Sequence, residues 1–194
     1  PLHVLINNHV IAPEKRQTTT DGIEMQWATN VLSYHWLSMA FHDLLSKSGS
    51  SSNPSRIVNV ASGYAGELDI GDVEFNRRRY DNNTAYRQSK QVCYGMSIAK
   101  ANRMLSTAYA KRFKADNILA NACHPGVVNS QLSNDLGFGG SESADEGAAT
   151  PVWLACDKVG GERTGLYFAR QKYVACQFSQ NVKNVDALWE LCQS

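Results

Sequence analysis

The chain has 194 residues, 43% hydrophobic and 19% charged, the size of one domain or most of one, with enough apolar content to bury a core; intrinsic disorder is excluded. Lys and Arg number 19 against 18 Asp and Glu, a net charge of +1, too balanced for a nucleic-acid binder, whose face must neutralise phosphates. No apolar run approaches the ~18–20 residues of a membrane-spanning helix, and no secretory signal is present, so a cytoplasmic protein is expected. The five cysteines (Cys93, Cys123, Cys156, Cys176, Cys192) are odd in number, widely spaced and form no C-x-x-C. Cys123 and Cys156 fall in patterns that read as buried, which suits free thiols in a reducing compartment. The five histidines (His3, His9, His35, His42, His124) show neither H-x-x-x-H nor H-E-x-x-H, and no metal site is expected.

Short apolar runs alternate with helical patterns. Residues 2–6 read as a buried strand. A helix is expected from Asp21, with Glu24 completing a capping box, and to run over 21–45. Trp27, Val31, Tyr34, Leu37, Phe41, Leu44 and Leu45 form its apolar stripe. A Ser/Gly/Asn/Pro linker at 46–55 ends it. A second strand covers 56–61, followed by Ser62-Gly63 and a polar stretch, 67–84, too long for a simple connector. A second long helix is expected over 85–114, a third strand over 118–123 broken by Pro125-Gly126, and a flexible glycine segment at 137–140. A helix over 145–156, a strand over 166–168 and a short helix over 185–192 complete the order. The alternation predicts an α/β fold, a parallel sheet covered by helices on both faces, with its sites at the carboxyl ends of the strands.

Strand ends single out Asn7-Asn8, Ser62-Gly63, His124-Pro125-Gly126 and the tail after Phe168. Tyr86 and Lys90 stand one helical turn apart, on one face. A phenol has an unperturbed pKa near ~10. A fixed cation beside it favours the phenolate, and the phenol then serves as a general acid/base for an alcohol or carbonyl oxygen. Ser62, placed opposite, would hold that oxygen by a hydrogen bond. A lone Y-x-x-x-K is common by chance; order and context give this one weight.

In that order the motifs resemble the short-chain dehydrogenase/reductase family, entered at its fourth strand. Leu5-Ile6-Asn7-Asn8 is similar to the start of its Asn-Asn-Ala-Gly motif, and Thr29-Asn30-Val31 to its helix asparagine. Val58-Asn59-Val60-Ala61-Ser62 is similar to its serine strand, Tyr86-Arg87-Gln88-Ser89-Lys90 to its Tyr/Lys motif, and the segment from His124 to Ser130 to its Pro-Gly loop. The 24-residue step from Ser62 to Tyr86 and Leu188-Trp189-Glu190-Leu191 resemble the retinol dehydrogenase and WW-domain oxidoreductase branch. The resemblance implies a Rossmann-like doubly wound sheet, with residues 1–194 as the C-terminal part of a single domain. It implies NAD(P)-dependent interconversion of a carbonyl and an alcohol, NADP being favoured over NAD. Tyr86 would be the acid/base and Lys90 would lower its pKa and bind the nicotinamide ribose. Ser62 would bind the substrate oxygen, and Asn30 would hold a relay water at a local break in its helix. Asn8, Pro125, Gly126, Val128 and Ser130, with Tyr86 and Lys90, would contact the cofactor. A homodimer or homotetramer built on the two long helices is implied as well.

Two features depart from the family. The glycine turn that cradles the pyrophosphate is missing; the cluster Gly137-Phe138-Gly139-Gly140 follows no strand and has Glu142 where a third glycine belongs. His9-Val10 stands where Ala-Gly is usual, against a cofactor that passes close by. Either cofactor binding is weak, or Asn8 and His9 are not natural neighbours. An apolar first strand left as a bare parallel edge also leads us to expect residues before Pro1 in the natural protein. Trp27, Trp36 and Phe41 read as core or subunit contact, and Arg77-Arg78-Arg79 as a solvated loop. Tyr64, Leu132, Leu136 and Phe138 in the loops 63–84 and 131–144 lean towards a lipophilic substrate. Two rivals stand beside the oxidoreductase. One is a catalytically inactive binding or regulatory module on the same fold. The other is a serine hydrolase pairing Ser62 with His124, which lacks the G-x-S-x-G elbow and a placed acid.

Overall fold

The computed structural model describes residues 1–63, 68–90, 101–137, 139–175 and 182–193. Four of the apolar runs become parallel strands lying side by side in chain order: β1 (Val4–Asn7), β2 (Ser55–Val60), β3 (Ile118–His124) and β4 (Tyr167–Ala169). Register follows the pleat: Ile57 stands beside Leu5 and Ala120, Val60 beside Cys123, and Cys123 beside Phe168. A short β5 (Lys172–Tyr173) pairs antiparallel with β4. No turn signal announces this hairpin, because Arg170 and Gln171 (φ 49° and 58°) take the left-handed positions that Asn-Gly usually fills. On the other side β1 pairs only with β2 among the described residues.

Alternate residues of the strands serve two cores, as period-2 geometry requires. Ile57, Ile118 and Ala120 face Trp27, Val31, Leu45, Leu105 and Leu188. Val58, Val60, Cys123 and Phe168 face Leu154 on the opposite side. Helices therefore cover both faces, and the α/β architecture expected from the sequence is the one observed.

The first long helix is not one regular helix. Glu24 is itself the N-cap: its carboxylate accepts the Gln26 and Trp27 amides at 2.9 and 2.7 Å, so the helix begins at α1 (Met25–Trp27) rather than at Asp21. A π-helical turn, Ala28–Leu32, follows, closed by Ser33 N–H donating to the Ala28 carbonyl. It leads into α2 (Ser33–Ala40), and after a break at Phe41 into α3 (His42–Ser48). The extra residue of the π turn rotates everything after it. Leu37 and Leu44, expected on the buried stripe with Trp27, are 42% and 49% exposed, and Trp36 is 50% exposed.

The next helical pattern is described at its two ends, α4 (Asn82–Lys90) and α5 (Ala101–Phe113); residues 91–100, with Cys93, lie outside the described residues. After β3 come α6 (Gln131–Asp135) and α7 (Ala144–Cys156), and at the end α8 (Val182–Gln193). Helix α7 starts on a Ser143/Glu146 capping box and ends on Arg56 of β2, whose Nη1 donates to the carbonyls of Leu154, Ala155 and Asp157. Cys123 is buried as expected, but Cys156, in the last turn of α7, is exposed. The arginine cluster is only partly solvated. Asp72 accepts the amides of Asn76, Arg77 and Arg78, while Arg78 pairs with Asp72 and donates to Gln88 at 2.7 Å. The glycine segment after α6 is also tied down, since Gly140 packs so closely on the Val128 carbonyl that a Cβ would collide with it.

Candidate active site

The carboxyl ends of β2 and β3 and the last turn of α4 bring Ser62, Tyr86 and Lys90 together. Ser62 leaves β2 with its N–H donating to the Lys90 carbonyl at 3.2 Å. The Ser62 hydroxyl lies close enough to the Tyr86 phenol to favour its charged form. Burial pushes the phenol above its usual pKa, and Ser62 works in the opposite direction.

Lys90 is 2% exposed. Its ammonium donates to the Tyr34 hydroxyl and to the Val60 carbonyl, the latter at 2.7 Å, and sits 4.4 Å from the centre of the Tyr34 ring. The Tyr34 hydroxyl in turn donates to the His9 carbonyl at 2.9 Å. The charge expected to act on Tyr86 is therefore directed in this geometry at Tyr34 and Val60. Burial holds the Lys90 pKa down to about 7, and lifts the adjacent Cys123 thiol to about 12, so the thiol is neutral. Tyr34 escaped the sequence reading as a site residue because it counted as one more apolar position; the signal available was its polar tip, four residues after Asn30.

Asn30 sits in the middle of the π turn, which is the local helix break that the resemblance implied. Its Oδ1 accepts the Ile11 N–H and its Nδ2 donates to the Ile11 carbonyl, both at 3.0 Å, and to Ser89 Oγ at 3.0 Å. The amide thereby joins the loop after β1 to the last turn of α4.

Pro125, Gly126, Val128 and Ser130 lie on the loop from β3 to α6. Gly126 needs its freedom: its φ is 105°, and a Cβ there would collide with the Glu142 carboxylate. Glu142 is held by Asn129 N–H donating to its carbonyl at 2.8 Å, and Arg170 lies 3.4 Å from its Oε1. Ser130 caps α6, its hydroxyl accepting Ser133 N–H at 3.2 Å. Asn8, by contrast, is exposed at the end of β1, away from that loop's hydrogen bonds; its buried neighbour Asn7 is the one tied in, donating to Asn59 Oδ1 at 2.8 Å. Tyr64 and Phe138 lie outside the described residues.

His124 does not pair with the Ser62 hydroxyl. Its Nδ1 accepts the Gly63 N–H at 2.7 Å, which puts the ring proton on Nε2, and burial pushes its pKa down to about 4. A ring so bonded has no lone pair free for the serine proton, so the hydrolase reading has no base.

The donor set suits the ribose end of a nicotinamide cofactor. An ammonium has three N–H donors, and Lys90 uses two on Tyr34 and Val60, leaving one for a ribose hydroxyl. Among the described residues there is no glycine-rich turn after a strand for the pyrophosphate, no group of three or more His, Cys, Asp or Glu that could hold a metal, and no helix long and apolar enough to cross a membrane.

Human retinol dehydrogenase 13 is 33% identical over 153 residues, 78% of this chain and 42% of its own length. Human polyprenol dehydrogenase is 31% identical over 206 residues, 97% of this chain and 59% of its own. A solved structure from Mycobacterium paratuberculosis superposes with a TM-score of 0.72 at 26% identity, covering 98% of this chain and 65% of that one. The NADPH-bound carbonyl reductase from chicken fatty liver, at 20% identity and a TM-score of 0.56 over 88% of this chain and 64% of its own, shares the fold. No family model matches the chain. The chain spans about half the length of the curated relatives it matches. It belongs to the short-chain dehydrogenase/reductase family, in the retinol dehydrogenase branch.

Proposed function

We propose that this chain carries the catalytic part of an NAD(P)-dependent oxidoreductase that interconverts a carbonyl and an alcohol. The observation that carries this reading is the convergence of Ser62, whose N–H donates to the Lys90 carbonyl, with Tyr86 and Lys90 one turn apart on α4, and Asn30 in a π turn bonded to Ser89 between them. Residues 1–194 would form the C-terminal part of a single Rossmann-type domain, consistent with relatives about twice as long.

In this reading Ser62 and Tyr86 hold the substrate oxygen between them. Tyr86 gives the oxygen a proton on reduction and takes one on oxidation. Lys90, held by Tyr34 and the Val60 carbonyl, offers its third N–H to the ribose. The bound nicotinamide supplies or accepts the hydride. The near-complete burial of Tyr86 and Lys90 keeps bulk water away from the exchange. NADP is favoured over NAD on family grounds; solved relatives hold NADPH, NADP or NADH. The relatives named for retinol and polyprenol support a lipophilic alcohol or aldehyde as substrate. A homo-oligomer would form on the helical stretches 21–45 and 85–114, in the cytoplasm.

The full-length protein, assayed with NADPH and NADH against a panel of long-chain and isoprenoid aldehydes, should show cofactor oxidation. Tyr86→Phe should lower kcat by about 10²–10⁴-fold while leaving the cofactor fluorescence titration intact. No turnover with either cofactor, or a Tyr86→Phe enzyme as fast as the parent, would overturn the assignment.

A further inference from the structure

The peptide that follows Ser62 is held by side chains from two other strands. β2 ends at Val60, and the last ladder bond on this side is Ala61 N–H to the Cys123 carbonyl, at 2.8 Å. Beyond it the Ser62 carbonyl accepts the Tyr167 hydroxyl at 3.2 Å, and the Gly63 N–H donates to His124 Nδ1 at 2.7 Å. These are the two polar groups of a single peptide unit. Tyr167 belongs to β4 and His124 closes β3, so the plane is gripped from opposite ends by the two strands beyond β2.

We propose that His124 and Tyr167 are positioning residues that clamp the Ser62–Gly63 peptide and so aim the Ser62 hydroxyl at Tyr86. The proposal rests on the reading of Ser62 and Tyr86 as the oxygen-binding pair. A glycine at 63 allows both signs of φ, so without partners this peptide would flip readily and change the backbone angle that sets the serine rotamer. The clamp removes that freedom. An oxygen-binding hydroxyl displaced by about 1 Å costs roughly 10²-fold in rate, so a clamp on its backbone is a rate-determining feature of the fold.

The clamp is itself reinforced. The Arg103 guanidinium, 3% exposed, lies 3.1 Å from the centre of the Tyr167 ring. Its Nε and one Nη have no hydrogen-bond partner among the described residues, so the ring is what compensates this buried cation. A cation on the ring face draws electron density from it and makes the Tyr167 hydroxyl a stronger donor to Ser62. His124 presents a neutral ring with Nδ1 as acceptor, and it also lines a cavity of about 550 Å³ with Gly126, Val127, Glu142 and Arg170.

The test uses the full-length enzyme with Tyr167→Phe, His124→Phe and His124→Asn, the last restoring an acceptor close to the place of Nδ1. Tyr167→Phe and His124→Phe should lower kcat about 10–100-fold with cofactor KM changed less than about threefold. Because Ser62 pulls the Tyr86 pKa down, both variants should move the alkaline-requiring limb of the alcohol-oxidation profile to higher pH. His124→Asn should recover most of the rate and the pH profile. Hydrogen exchange at Gly63, which needs no activity, should speed up in His124→Phe and slow again in His124→Asn. Unchanged Gly63 exchange in His124→Phe, or an unmoved pH profile in folded Tyr167→Phe, overturns the clamp. Failure of the functional reading has a different signature: Tyr86→Phe as active as the parent, with Gly63 exchange still responding to His124.

Discussion

Asn30 holds the backbone of Ile11 on both sides of its Cα, Oδ1 accepting its N–H and Nδ2 donating to its carbonyl, each at 3.0 Å. The side-chain amide acts as a one-residue strand, tying the loop after β1 to the helix that carries the π turn. Asn30→Leu, close in volume, leaves both Ile11 groups and Ser89 Oγ without this partner. The expected loss is about 2 kcal/mol, with faster proteolytic cleavage in residues 9–17. Asn30→Asp keeps the acceptor for the Ile11 N–H but sets a buried carboxylate oxygen against the Ile11 carbonyl, and should lose at least as much. Urea unfolding and limited proteolysis of the two variants measure both effects.

Lys90 gives stability an unusual pH dependence. Its folded pKa, about 7, lies below the ordinary lysine value, so between pH 7 and 10 the unfolded chain holds more protons than the folded one. Stability from this group therefore rises with pH across that window and is lowest where the ammonium is charged in both states. Lys90→Met should flatten the slope between pH 7 and 9.5 and raise the denaturation midpoint at pH 7. Tyr34→Phe, which removes one acceptor from the ammonium, should start the rise at lower pH. Denaturation midpoints at half-unit pH steps measure it.

His35 and His124 act in the acid range. Burial holds both pKa values near about 4, below the ordinary 6.5, so from pH 6.5 down to 4 the unfolded chain takes up protons that the folded one refuses. Their neutral forms support the fold above that window, and the support is lost on acidification. His35 lies between the Gln193 amide, 2.7 Å from Nε2, and the Tyr109 hydroxyl, 3.4 Å from Nδ1. His35→Gln should weaken the fall in stability between pH 6.5 and 4.5, measured as thermal midpoints relative to the parent.

Arg56 joins the sheet to the end of α7 through one Nη1, which donates to Asp157 O at 2.7 Å, Ala155 O at 2.9 Å and Leu154 O at 3.1 Å. It satisfies carbonyls that the helix end leaves open and places a positive charge at the negative end of the helix. Arg56→Met keeps the stem and removes the donors. A loss of about 2–3 kcal/mol is expected, with fraying confined to the last turn of α7, visible as faster amide exchange near Cys156.

Much of the fold was legible because its signals are local. The strands at Ile57 and Ile118 show as short apolar runs, and α7 shows as a periodic run opened by a capping pair. Ser62, Tyr86, Lys90 and Asn30 stood out in the sequence as candidates, three from strand ends and helical spacing and one from motif order. Elements whose form depends on non-local contacts were not. The π turn at Asn30 follows no propensity rule, yet it decides that Leu37 and Leu44 face outward while Trp27 and Val31 face the core. The β4–β5 hairpin turns on Arg170 and Gln171, residues without a turn preference, held there by strand pairing.

The sequence alone determined the order of strands and helices, because apolar periodicity is a property of neighbours along the chain. It also determined that a phenol and an ammonium share one helical face. Where the ammonium points, what holds the peptide after Ser62 and which nitrogen of His124 carries the proton were decided only by the tertiary structure. Each depends on groups dozens of residues apart — Tyr34 on Lys90, Tyr167 on Ser62, His124 on Gly63 — and a hydrogen bond in a buried site is set by which partner lies within about 3 Å, which spacing along the chain does not encode.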